Sequence, residues 1–139
     1  MTMPARSSTV LLDTDVFSHI YKGRPEASPY LPHLKGVIPA ITIITVGELY
    51  KWAYMKKWSP RNLAGLEDRF TQFLILPFDF AVAQQWARIQ SAKLGRNVPQ
   101  NDAWIAACAI TYGCPLLTHN RKDFQDIQGL DVISYSPEQ

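Results

Sequence analysis

The chain alternates short apolar runs with stretches of helical period. Thr9-Val-Leu-Leu-Asp13 is a brief apolar run closed by an acid, the pattern of a strand buried on both faces. A helix is expected from about Val16 to Lys22. Val37-Ile38 and Ile41-Thr42-Ile43 make a second strand-like run, leading through Thr45-Val-Gly-Glu48 into a helix that carries Leu49, Trp52, Ala53 and Lys56. Ser59-Pro60 opens a further helix, with Ser as cap, Pro in the first turn and Leu63, Leu66, Phe70 and Phe73 at helical spacing. Leu74-Ile75-Leu76 reads as a strand. Asp79 caps the next helix, which buries Val82, Ala83, Trp86 and Ile89 and ends near Gly95. Pro99-Gln-Asn-Asp102 opens an alanine-rich helix closed by Gly113, its small side chains suited to lying close on a sheet. Pro115 to Thr118 and Asp131 to Ser134 supply the last strands.

Strand and helix in alternation predict an α/β fold of three layers, α/β/α, around a central, mostly parallel sheet. No linker, repeat or low-complexity block divides the sequence, so residues 1–139 read as one domain with a frayed N-terminus. Composition narrows the class: 47% hydrophobic and 19% charged residues belong to a folded globular chain, excluding disordered and fibrous classes. No apolar run approaches the roughly 18 to 20 residues of a membrane span, and Met1 to Ser8 has no apolar core of a signal peptide. A cytoplasmic location and no membrane partner are expected, with Cys108 and Cys114 as buried free thiols.

Candidate chemistry lies in the acids. In an open parallel sheet, ligands gather beyond the carboxyl ends of the strands. Asp13 ends the first strand, Glu48 falls in the first turn of the helix after the second, Asp102 opens the alanine-rich helix, and Asp123 follows the strand ending at Thr118. They are 35, 54 and 21 residues apart, so only the fold can unite them. Clustered carboxylates repel and stay ionised near neutrality only with a cation or several donors beside them. Oxygen-only ligands suit Mg²⁺ or Mn²⁺, which support metal-assisted phosphodiester hydrolysis.

Leu11-Leu-Asp13-Thr-Asp15-Val16, Thr45-Val-Gly-Glu48-Leu49, Asn101-Asp102-Ala-Trp-Ile105-Ala-Ala107 and Leu117-Thr118-His-Asn120-Arg-Lys-Asp123-Phe124 resemble the successive motifs of the PIN domain. The layout is similar to that of VapC toxins of VapBC toxin–antitoxin pairs, over nearly the whole chain. The resemblance implies an Mg²⁺-dependent endoribonuclease, with Mn²⁺ as substitute, leaving a 5′-phosphate and a 3′-hydroxyl. It implies that Asp13, Glu48, Asp102 and Asp123 are the catalytic, metal-holding acids, supported by Thr118 and Asn120. Asp15 stands where the family usually has Asn; either Asn120 or Asp123 supplies the fourth position. A homodimer and a small VapB-like antitoxin are the implied partners besides RNA.

Each acid also has a local explanation. Glu48, three residues after Thr45, has the spacing of a capping box. Asp102 suits a helix start, and Asp123 and Asn120 suit turns. Asp13, an acid ending an otherwise apolar strand, points to chemistry on its own; for the others it is their conjunction in one ordered set that favours it. Asp13-Thr-Asp15-Val16 also matches the opening of haloacid-dehalogenase-like phosphatases, in which the first acid attacks phosphorus. A non-catalytic RNA-binding module of the same fold is the third reading. His19 and His33 read as surface or packing residues and His119 as a solvated loop residue.

Fourteen Lys and Arg against twelve acids give a formal charge of +2. Setting aside Asp13, Asp15, Glu48, Asp102 and Asp123 leaves 7 acids against 14 bases, a basic remainder suited to a polyanion. Arg121 and Lys122, beside the fourth acid, and Lys51 and Arg61, in the basic-aromatic stretch that includes Trp52, Lys56, Lys57 and Trp58, are the candidate RNA contacts.

Overall fold

The computed structural model describes residues 8–135, so the expectation for the N-terminal residues before Ser8 lies outside it. Five strands, β1 (Thr9–Leu12), β2 (Ile38–Ile41), β3 (Leu74–Ile75), β4 (Leu116–Leu117) and β5 (Val132–Ile133), form one sheet in the order β3-β2-β1-β4-β5. Every pairing is parallel. The helices are α1 (Thr14–Tyr21), α2 (Ile43–Met55), α3 (Pro60–Phe70), α4 (Phe80–Ser91), α5 (Gln100–Tyr112) and α6 (Arg121–Phe124).

Strand alternation sends neighbouring side chains to opposite layers. Val10, Leu12, Ile41 and Leu117 join Val16, Phe17, Leu49 and Leu66 in one core, while Leu11, Ala40 and Leu116 join Val82, Ile89 and the α5 alanines in the other. Both faces of the central strands are therefore covered, which is why β1 reads as a continuous apolar run. Leu11 and Leu12 have no exposed surface, and truncating either to Ala would cost about 2–5 kcal/mol.

Local signals mostly hold. Ser59 accepts from Asn62 N and Asp79 from Val82 N as caps, and Gly113 closes α5 at φ 65°. Three boundaries shift by two residues or more, and one element is new. Thr42, taken as strand, caps α2 by accepting from Thr45 N, so Ile43 is helical and Glu48 lies in the second turn, beyond capping-box reach. The helix expected from Val16 begins at Thr14, because the Asp13 carboxylate accepts from Val16 N. The α4 helix ends at Ser91, well short of Gly95. Pro25–Leu34 forms a 3₁₀ helix that no periodicity announced: Pro25, Pro29 and Pro32 remove the donors an α-helix needs.

Candidate active site

The chain runs from β1 outward to β3, then returns to place β4 on the other side of β1. Beside β1 the connections therefore diverge to opposite sides, opening the crevice where α/β sheets bind ligands. A cleft of about 90 Å³ lies there, lined by Asp13, Thr14, Asp15, Glu48, Asp102, Ile105 and Asn120. A larger cavity of about 370 Å³ between α4, α5 and residues 127–129 has no acid or histidine in its lining, so size does not mark the reactive site.

Asp13 is 4% exposed. Its Oδ1 accepts from Val16 N at 2.8 Å and its Oδ2 from Thr118 Oγ1 at 2.5 Å. Burial, reinforced by the charges of Asp15 and Asp102, outweighs those two bonds and lifts its pKa to about 7. Half-buried Asp102 is pushed up to about 6 by burial and then by the charges of Asp123, Glu48 and Asp15, against the opposing pull of Arg96. It is not a cap: the N-cap of α5 is Pro99, without a side-chain bond. Glu48 is held from two sides, by Thr14 Oγ1 on Oε1 at 2.5 Å and by Asn101 Nδ2 on Oε2 at 3.2 Å. Asp15 Oδ2 accepts from Asn120 Nδ2 at 2.6 Å, and Asn120 N donates to Thr118 Oγ1 at 3.0 Å.

The four acids on the cleft thus come from the β1–α1 junction (Asp13 and Asp15), α2 and α5. Asp123 sits half-buried on the single turn of α6, outside the cleft lining, and acts on it through its charge on Asp102. Arg121 Nη2 donates to Ser134 O, spending part of the guanidinium on the end of β5. Lys122 is exposed, Lys51 is exposed beside Glu48 on a neighbouring shallow pocket, and Arg61 is exposed in the first turn of α3. His119 departs from a solvated loop: its Nδ1 lies 3.0 Å from the hydroxyl of fully buried Tyr30, which also donates to Thr118 O.

Sequence reasoning passed over three contributors. Thr14 bridges Glu48 and Thr45, and its position between Asp13 and Asp15 was the available signal. Arg96 reaches Asp126 through Nε and Nη2 and the Asp123 carbonyl through Nη2, from a loop with no local signature. Tyr30 came with the unforeseen 3₁₀ helix.

Among the described residues no three His, Cys, Asp or Glu side chains converge into a metal cage. The donor set nonetheless fits a hard divalent cation. It is all oxygen, and two of its members are driven toward protonation by burial and mutual repulsion that a cation would relieve. Such ions keep several waters and need only one or two protein carboxylates. The phosphatase reading fares worse, because both oxygens of the would-be nucleophile Asp13 are already engaged in a buried setting.

The PIN domain family matches residues 10–130. The chain belongs to the PIN-domain family. It is 30% identical over 123 residues to Ribonuclease VapC2 of Haemophilus influenzae, covering 86% of this chain and 92% of that protein. It is 28% identical over 128 residues to the tRNA(fMet)-specific endonuclease VapC of Shigella flexneri, covering 91% and 97%. A solved toxin–antitoxin complex from Klebsiella pneumoniae superposes with a TM-score of 0.70 at 29% identity, covering 91% of this chain and 98% of that one.

Proposed function

We infer that this protein is an endoribonuclease toxin of the VapC type, paired with a VapB-like antitoxin. The observation that carries this reading is the arrival of Asp13 and Asp15 from the β1–α1 junction, Glu48 from α2 and Asp102 from α5 on one cleft beside the central strand. The named ribonuclease relatives and the toxin–antitoxin neighbour support it from outside.

Asp13, Glu48 and Asp102 would hold Mg²⁺, or Mn²⁺ in its place, with Asn120 or Asp123 completing the shell. The bound ion supplies a water of lowered pKa and neutralises charge on the phosphate. This chain's residues do the positioning. Thr118 and the α1 N-terminus fix Asp13; Thr14 and Asn101 aim Glu48; Asn120 restrains Asp15. Water oxygen attacks phosphorus, the bond from phosphorus to the 3′-oxygen breaks, and the departing 3′-oxygen takes up a proton. Products are a 5′-phosphate and a 3′-hydroxyl. A homodimer acting in the cytoplasm completes the reading; among the described residues no helix is long and apolar enough to cross a membrane.

The test is incubation of the purified chain with tRNA and ribosomal RNA in Mg²⁺ or Mn²⁺, beside Asp13→Asn and Asp102→Asn. Cleavage by the parent alone is expected. Equal cleavage by both variants, or none by any protein, would overturn the assignment.

A further inference from the structure

Helices α1 and α2 lie side by side and run the same way. At their N-terminal ends Thr14 Oγ1 bonds Thr45 and Glu48; toward their C-terminal ends Lys22 Nζ stands 3.5 Å over the ring of Trp52. The acids of the cleft occupy one end of this pair. At the other end stand Lys22, Arg24, Lys56 and Lys57, all exposed. Among the described residues the single ion pair is Arg96–Asp126, so none of these four cations is paired with a carboxylate, and Glu26, two residues beyond Arg24, is the one acid near them in sequence. Partial burial, then the positive charges of Arg24 and Lys56, hold the Lys22 ammonium below the usual lysine range, so these three cations stand close enough to act on one another.

Each of the two helix C-termini favours a nearby cation through its dipole, but four cations at two ends exceed that explanation. Lys57 adds an independent observation. Trp58 N bonds Ala53 O and Lys57 N bonds Tyr54 O, the double bond of a Schellman ending, with Lys57 in the left-handed position at φ 54°. Glycine fills such positions without strain. Here the chain keeps a lysine in a strained backbone, beside three other cations.

We propose that the C-terminal ends of α1 and α2 form a phosphate-backbone site for the RNA, in which Lys22, Arg24, Lys56 and Lys57 hold the strand away from the scissile bond. From Thr14 to Lys22, and from Glu48 to Lys56, eight residues of helix span about 12 Å. That separation places the contacts a few nucleotides along the strand from the cut, not at the cut itself. This rests on the ribonuclease reading above and extends it to the path of the substrate.

The experiment measures tRNA binding in an Asp102→Asn background, comparing Lys22→Ala/Lys56→Ala and Lys57→Gly with the parent across a salt series. The double variant is expected to bind about 10-fold more weakly at 0.1 M salt, with a slope of log affinity on log salt shallower by about 1.4, two contacts at about 0.7 each. Lys57→Gly is expected to raise Tm while weakening RNA binding, an opposition that a purely structural lysine would not produce. Neutral methylphosphonates walked along a cleaved RNA should reproduce the loss at positions a few nucleotides from the cut. Unchanged affinity and slope in all variants overturns the site, even if they bind an acidic antitoxin less well. If wild type cleaves RNA while the variants bind it like the parent, this inference alone fails; if wild type neither binds nor cleaves RNA, both fall.

Discussion

The Thr118 hydroxyl donates to Asp13 Oδ2 at 2.5 Å, joining the ends of β4 and β1 through residues 105 positions apart. With Val16 N on Oδ1, each Asp13 oxygen has one donor. Two donors do not offset complete burial, and the carboxyl rests at about 7, half-protonated at neutral pH. On the proposed reading, a cation bound at this most deeply buried acid would take the place of its proton.

Replacing Thr118 by Val keeps the shape and removes that donor. A buried acceptor left short costs about 1–3 kcal/mol, and because the bond lowers the Asp13 pKa, its loss moves the pKa further up. The acidic limb of the cleavage-rate profile should shift to higher pH in Thr118→Val and return in Thr118→Ser. A limb that stays with wild type in Thr118→Val means the hydroxyl does not act on Asp13.

Asp102 makes a second prediction in which the sign is fixed by linkage. Its folded pKa of about 6 exceeds the 3.8 of an ordinary aspartate, so between those pH values the native chain binds more protons than the unfolded one. Stability from this group is therefore lost as pH rises from about 4 to about 6, and stays lost above. In metal-free protein, Asp102→Asn removes that penalty. Its Tm should exceed wild type by about 3–6 °C at pH 8, on the order of 1 kcal/mol, and match it near pH 4. Mg²⁺ should stabilise wild type and leave the variant nearly unmoved.

Much of this was legible because the relevant signals are local. An acid ending the apolar run Thr9–Leu12, the caps at Ser59 and Asp79, and the glycine ending α5 follow from short-range chemistry, and the acids line up because β1, α2 and α5 all begin or end at one sheet edge. Other features depend on distant partners. Thr42 and not Thr45 caps α2, because the chain is still extended at Thr42 and its hydroxyl accepts from Thr45 N, while the Thr45 hydroxyl, already inside the helix, meets Thr14 across 31 residues. Arg121 was expected at the phosphate, but β5 presents the Ser134 carbonyl to it. The Pro-rich segment carrying Tyr30 has no apolar period, and its position is set by one buried hydroxyl bonded to Thr118 O and Tyr135 N.

Metal binding should release protons, and the amount should follow pH. At pH 6.5 Asp13 is mostly protonated and Asp102 partly so, given pKa values of about 7 and about 6. A cation held by both displaces those protons. Calorimetric titration with Mn²⁺ in two buffers of different ionisation heat should show about one proton released at pH 6.5 and close to none at pH 8.5. Asp13→Asn should abolish most of the release. Identical release at both pH values would mean that neither carboxyl gives up its proton to the ion.

Arg96 separates charge from geometry. Its guanidinium grips Asp126 through two nitrogens and the Asp123 carbonyl through Nη2 at 2.7 Å, while its charge opposes the upward shift of Asp102. The pair with Asp126 is surface-exposed enough that its own contribution to stability is about 0–1 kcal/mol. Arg96→Gln should therefore alter Tm by only a few degrees, yet raise the Asp102 pKa and carry the acidic limb of the rate profile to higher pH. Arg96→Lys keeps the charge and loses the fork. If the field of Arg96 is what matters, the lysine variant recovers the wild-type pH profile without recovering the Asp123 contact; if positioning of α6 matters, it fails as the glutamine variant does.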